Sequence, residues 1–172
     1  TYDTLNDACV PQLLVSTGHP AWGDPLEHPW TTGSYMSYTT EAILWGAWIK
    51  ENMVDKLPVK VVGLVMDNDF GIAYTQGMEK YAEETPDVIE SFVTVSFDPA
   101  APTITNEMTT AAAENPDIAI GMMAGNPCLQ MVEEAGRNGM KDAGTVLFIS
   151  QTCKDPTSFM IPAGAAADGW NI

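Results

Sequence analysis

Between Val59 and Lys141 the chain turns three times from a strand-length apolar or alternating run into a helix-forming stretch, each time through a polar corner marked by Gly or Pro. The first corner is the most specific. Val59, Lys60, Val61, Val62, Gly63, Leu64, Val65 and Met66 form a mostly apolar run, which Asp67, Asn68, Asp69, Phe70 and Gly71 break to open a helix. A run that is apolar on both faces belongs to a buried parallel strand, and parallel strands need helical crossovers. Ligands in such sheets sit at the corners beyond the carboxyl ends of the strands. The corners are therefore where function is sought.

The remaining elements follow from periodicity and punctuation. Residues 1–7 read as the tail of a helix and residues 10–15 as a short buried strand. Residues 16–30 form a long irregular loop, a kind that is usually functional inside a compact domain. Residues 31–36 read as an extended connector. Ala42, Trp45, Ile49 and Met53 recur at helical spacing, predicting a helix over 38–56. Another helix is predicted over 72–84, with Tyr74, Met78 and Tyr81 on one face. Residues 88–97 alternate as a strand does. Ile104, Met108 and Ala111 mark a helix stripe, and 117–124 reads as a buried strand. Asn126 as N-cap with Pro127 behind it opens a helix that Asn138 and Gly139 close. Residues 145–150 form a further strand, Asp155 and Pro156 repeat the cap signal, and 168–172 begin another element. The fold class is α/β: a parallel sheet of at least four strands with helices on both faces, a three-layer, Rossmann-like αβα lobe.

Charge and motifs remove several functions. Seven Lys and Arg against 23 Asp and Glu give a net charge of −16. A field of that sign repels phosphate backbones and anionic membranes, which argues against a nucleic-acid partner. No stretch approaches the roughly 18 apolar residues of a membrane span, so no direct membrane insertion is expected. The chain has no dinucleotide Gly-x-Gly-x-x-Gly turn, no P-loop and no Gly-x-Ser-x-Gly elbow. Asp67 and Asp69 could begin a phospho-acceptor site, but the corner of Ala124, Gly125 and Asn126 offers no carboxylate to complete it. His19 and His28 lack the companions of a metal site, so neither a metal nor a cofactor is expected. Asp67 reads first as a cap on the following helix; an acid/base pair of Asp67 and Asp69 is the enzymatic alternative.

The order of landmarks resembles the type I periplasmic binding proteins, and within them the branched-chain amino-acid (Leu/Ile/Val) solute receptors of ABC importers. Val10 through Pro20 resembles the family's Pro, strand, Ser and Pro segment. Val59 through Gly71 resembles its strand ending in an aromatic-Gly turn. Asn115 through Ile120 with Gln130 through Gly139 resembles its next strand and helix, and Ala163 through Gly169 its small-residue turn. The resemblance implies two lobes closing on a solute. It implies that 1–32 end a lobe-one segment, 33–36 cross a hinge, and 37–172 form most of lobe two. Thr1 is not Met, and the opening reads as mid-helix, so a piece of a longer chain is expected, with any signal segment removed.

The resemblance also places a site. Ser16, Thr17, Gly18 and His19 match the lobe-one loop that holds a ligand's carboxylate and amino groups. Phe70, beside Asp69, falls where members often place a Tyr. Ala124 or Gly125, next to Asn126, falls where another aromatic often lies. Thr152 falls where amino-acid receptors place a carboxylate for the ligand's ammonium. A neutral Thr cannot compensate that charge, so an amide, a carboxylate or an aromatic acid is as consistent with the site as an amino acid. Plainer readings stand beside these: Thr152 and Ser16 satisfying backbone at their turns, and Phe70 packing beneath its own.

Cys128 opens a helix after one strand and Cys153 follows the next, so their corners are neighbours and within disulfide reach. An exported protein would oxidise them, whereas a cytosolic one would keep all three thiols, Cys9 included, reduced. The resemblance thus implies a non-enzymatic, extracytoplasmic solute-binding component, periplasmic or extracellular, free or lipid-anchored to the membrane, that delivers its ligand to ABC permease subunits. A sensory ligand-binding domain on the same fold is the alternative.

Overall fold

The computed structural model describes residues 2–172. The opening helix, α1, spans Tyr2–Asp7, and Thr1 lies outside the described residues. β1 (Gln12–Val15) pairs in parallel with β2 (Thr31–Gly33), across a loop holding one 3-10 turn at Pro20–Gly23. α2 follows over Tyr38–Asn52, then β3 (Val59–Met66), α3 (Asp69–Glu84), β4 (Ile89–Phe97), α4 (Thr105–Ala113), β5 (Ile118–Met122), α5 (Asn126–Arg137) and β6 (Val146–Ile149). β3, β4, β5 and β6 form one all-parallel sheet in the order β4-β3-β5-β6. Asn171 adds a parallel bridge to Phe148, the start of the element expected near the end of the chain.

Two-residue alternation divides the core between two faces of this sheet. Val61, Val65, Ile118, Ile120 and Met122 point toward α2 and α3, with Trp45, Ile49, Tyr74 and Met78. Val62, Leu64, Ala119 and Met123 point toward α4 and α5, with Ile104, Met108, Met131 and Val132. Both faces are covered, which gives the three-layer αβα arrangement. Cys128, in the first turn of α5, is disulfide-bonded to Cys153, just past β6, with their Cα atoms 5.5 Å apart. Cys9 is exposed and free.

Three sequence expectations are corrected. β1 is a strand but not a buried one: Leu13 and Leu14 are 73% and 72% exposed. Its only described strand partner is β2, and no helix layer covers it. The cap of α3 is Asn68, whose side chain accepts from the Gly71 N–H, so Asp67 is not the cap and the helix starts at Asp69 rather than Ile72. The cap of α5 is Gly125, at φ +73°, which moves Asn126 into the helix as its first residue.

Candidate functional site

The carboxyl ends of β1, β3, β5 and β6 carry the sequence-predicted site residues, and the packing links these corners in pairs. Gly18 is the close-approach point of the first. Its carbonyl accepts from the Tyr38 N–H at 2.8 Å, and a Cβ there would lie 2.2 Å from the Met36 carbonyl oxygen. That closeness brings Thr17 Oγ1 to 3.0 Å from the Tyr38 hydroxyl. The Tyr38 ring in turn sits 4.4 Å from Phe70 and 4.9 Å from Tyr74, centroid to centroid. Thr17 and Phe70, 53 residues apart in number, thus share one aromatic neighbour.

Ser16 is exposed. His19 turns the other way. Its Nδ1 accepts from the Ala21 N–H, and its ring lies against Trp22, which also meets Tyr2 and His28. The loop of residues 16–19 is therefore split: Thr17 and Gly18 join the Tyr38 side, and His19 joins a separate aromatic cluster. Asp67 and Asp69 are both exposed, and neither side chain makes a hydrogen bond among the described residues.

The corner after β5 is tied to the one after β3 by the Ala124 N–H, which points at Met66 Sδ at 3.2 Å; Gly125 and Asn126 project beyond it, exposed. At the corner after β6, the Thr152 hydroxyl donates to the Met123 carbonyl at 2.7 Å and lies 2.8 Å from Ser150 Oγ. The buried Ser150 hydroxyl donates to the same carbonyl at 2.6 Å. Thr152 thus satisfies backbone at its turn with its one proton, and leaves an uncharged hydroxyl oxygen as an acceptor at the edge.

Three residues at this edge were not singled out from sequence: Tyr38, Glu41 and Gln151. Glu41, on α2, is 7% exposed. Its Oε1 accepts from the Gln151 backbone N–H at 2.8 Å, and its Oε2 from Gln151 Nε2 at 2.7 Å and from the Tyr74 hydroxyl. Burial pushes the Glu41 carboxyl above the usual glutamate range, while its hydrogen bonds from Tyr74 and Gln151 and the charge of Lys154 pull it back. Burial, with the Glu41 carboxylate beside it, also drives the Tyr74 hydroxyl upward. A signal existed in the sequence. Position 41 falls on the stripe of Tyr38, Ala42, Trp45 and Ile49, so a carboxylate there had to be buried.

Around these corners lies a groove of about 490 Å³ lined by Glu41, Trp45, Trp48, Phe148, Gln151 and Trp170, beside β6 rather than over the candidate contacts. No His, Cys, Asp and Glu cluster that could hold a metal occurs among the described residues. The arrangement offers fixed backbone and hydroxyl groups, one aromatic face, exposed carboxylates after β3 and a neutral Thr152 after β6.

No protein-family model and no curated protein matches the chain. Solved structures match its fold. A branched-chain amino-acid ABC transporter protein from Thermus thermophilus with bound valine is 18% identical, with a TM-score of 0.77 over 97% of this chain and 41% of that one. A solute-binding protein of an ABC transporter from R. palustris in complex with 4-hydroxybenzoate is 18% identical, with a TM-score of 0.74 over 96% and 42%. A fatty acid ABC transporter substrate-binding protein from Thermomonospora curvata is 15% identical, with a TM-score of 0.76 over 97% and 41%. The chain has the α/β fold of a type I periplasmic-binding-protein lobe, and it spans about two fifths of the solved chains it matches.

Proposed function

We propose that the chain is part of an extracytoplasmic solute-binding protein of an ABC importer, binding a small organic acid or amino acid between two lobes. The observation that supports this most is the gathering of Thr17, Phe70, Ala124 and Thr152 at the carboxyl ends of parallel strands, joined through Tyr38, Met66 and Met123. Residues 1–32 end a lobe-one segment, 33–36 cross the hinge, and 37–172 form most of lobe two. The ligand meets Ser16 and Thr17 on one wall, while Gly18 packs beneath them on Tyr38 and His19 faces the Trp22 cluster. Asp69, Phe70, the corner of Ala124, Gly125 and Asn126, and Thr152 form the other. Capture requires no bond to be made or broken; the work is the higher affinity of the closed state, so the protein is not an enzyme.

The protein acts outside the cytoplasm and passes its ligand to permease subunits. The Cys128–Cys153 bridge suits an oxidising compartment, and no helix among the described residues is long and apolar enough to cross a membrane. A lipid anchor would keep it near the permease. The ligand class is weighted toward carboxylates that lack an ammonium, because no carboxylate stands at Thr152. Thermal shift of the protein carrying both lobes, against L-valine, L-leucine, 4-hydroxybenzoate and a short fatty acid, tests the reading. Stabilisation at ligand concentrations well above Kd is expected from one class, about 2–3 kcal/mol at a hundredfold excess. No shift with any amino acid, aromatic acid or fatty acid would overturn it.

A further inference from the structure

Glu41 does something that packing does not require. An apolar residue would complete the stripe of α2, and burying a carboxylate is costly unless donors surround it. Here three donor groups do, from two other elements: the backbone N–H and the side-chain amide of Gln151, and the hydroxyl of Tyr74. The same Gln151 amide also donates to the Met36 carbonyl at 3.2 Å, and Lys154 Nζ lies 5.2 Å from the centre of the Tyr35 ring. The corner after β6 is thereby fastened twice to the connector that leads into α2.

We propose that Glu41 is a positioning residue: through Gln151 it locks the corner carrying Thr152 to the connector of residues 35–37, so that the corner and the proposed hinge move as one body. The proposal rests on the reading of Thr152 as lying at the ligand edge. A solute settling on that corner then pushes directly on the connector, and a solute that never touches it does not. The titratable groups facing the lock are Tyr74 from α3, Tyr38 from α2 and Lys154 from the corner itself. Glu41 titrates before Tyr74 on rising pH.

The test follows the Gln151 backbone and side-chain amides by NMR in the 15N-labelled chain, from about pH 4 to about pH 8. Both signals are expected to titrate with a single midpoint above the ordinary glutamate value, and the Met36 and Thr152 amides with them. In Glu41→Gln that shared titration disappears, and the amides of residues 151–154 exchange faster by about tenfold or more. Gln151→Leu cuts the lock from the other side, and should loosen residues 35–37 to the same degree. Amides that titrate unchanged in Glu41→Gln, or exchange rates within about twofold of wild type, would overturn the lock whatever the protein binds. L-valine and 4-hydroxybenzoate serve as probes in a second arm. Loss of the shared titration with unchanged affinity for a probe that binds would leave the lock standing, and would remove Thr152 from the ligand site instead.

Discussion

A carboxylate held by three donors has an asymmetric cost of removal. Glu41→Ala strips partners from the half-buried Gln151 amides and the buried Tyr74 hydroxyl, and each buried donor left stranded costs about 1–3 kcal/mol. A loss of roughly 2–4 kcal/mol is expected in urea unfolding, well above the half kilocalorie of an ordinary surface change. The pH dependence has a definite sign. Burial raises the folded-state value of Glu41 above that of the unfolded chain, so the folded state holds this proton more tightly. The stabilisation this brings is complete below the ordinary glutamate value and is lost as pH rises through the raised one. Stability of the wild type should therefore fall relative to Glu41→Gln across that window, and parallel curves for the two proteins would contradict the assignment. Gly18 makes a second residue-scale case. Its Cβ would have to occupy space 2.2 Å from the Met36 carbonyl, so Gly18→Ala should cost about 1–3 kcal/mol and separate Thr17 from Tyr38. At this scale the sequence was only partly legible. Phe70 and Thr152 were named through the family resemblance, whereas Gln151 was not, because its link to Glu41 joins residues 110 positions apart.

Elements were read more securely than their ends, and magnitudes explain why. Fully burying Ile118, Ile120 or Met122 contributes about 1.5–3 kcal/mol each, and a helix cap about 1. A string of buried positions therefore decides that β5 exists, while a single cap decides only where α5 begins. Asn126 and Pro127 marked that start in the sequence, but Gly125 takes the cap at positive φ, a conformation glycine adopts without strain. Asp67 lost the cap of α3 to Asn68 in the same way, by one position. β1 failed differently: Leu13, Leu14 and Val15 in the run over 10–15 promised burial, and burial needs a covering layer that no pattern inside the strand can supply. Between elements, the bridge from the first turn of α5 to the turn after β6 closes a loop spanning 25 positions. Loop-closure entropy puts its contribution near 3 kcal/mol. The double variant Cys128→Ser, Cys153→Ser should lose about that much in urea unfolding. Two titratable thiols at these positions in the non-reduced protein would show the bridge absent.

On the scale of the whole molecule, a parallel sheet with two covered faces followed from apolar runs alternating with helices, whereas its order β4-β3-β5-β6 was not read from the sequence. Pattern does not identify a solute, which in the proposed reading depends on single groups facing a cleft between two lobes. One group does constrain it. A receptor that selects amino acids by their ammonium needs a buried carboxylate at the edge. At the position expected to carry it stands Thr152, with its hydroxyl donated to Met123. Glu41, the buried carboxylate near this corner, already accepts three hydrogen bonds from Gln151 and Tyr74. Asp67 and Asp69 lie exposed, where an ion pair is worth about 1 kcal/mol or less. Calorimetry with L-valine and with 3-methylbutanoate, its deaminated analogue, isolates that one charge in a protein carrying both lobes. An ammonium held by a buried carboxylate contributes a few kcal/mol, so its loss would weaken binding about a hundredfold or more. The neutral corner predicts a difference below about tenfold, with 4-hydroxybenzoate binding at least as well as valine. A hundredfold preference for valine would require a carboxylate from the opposite wall, and would return the site to the ordinary amino-acid receptors.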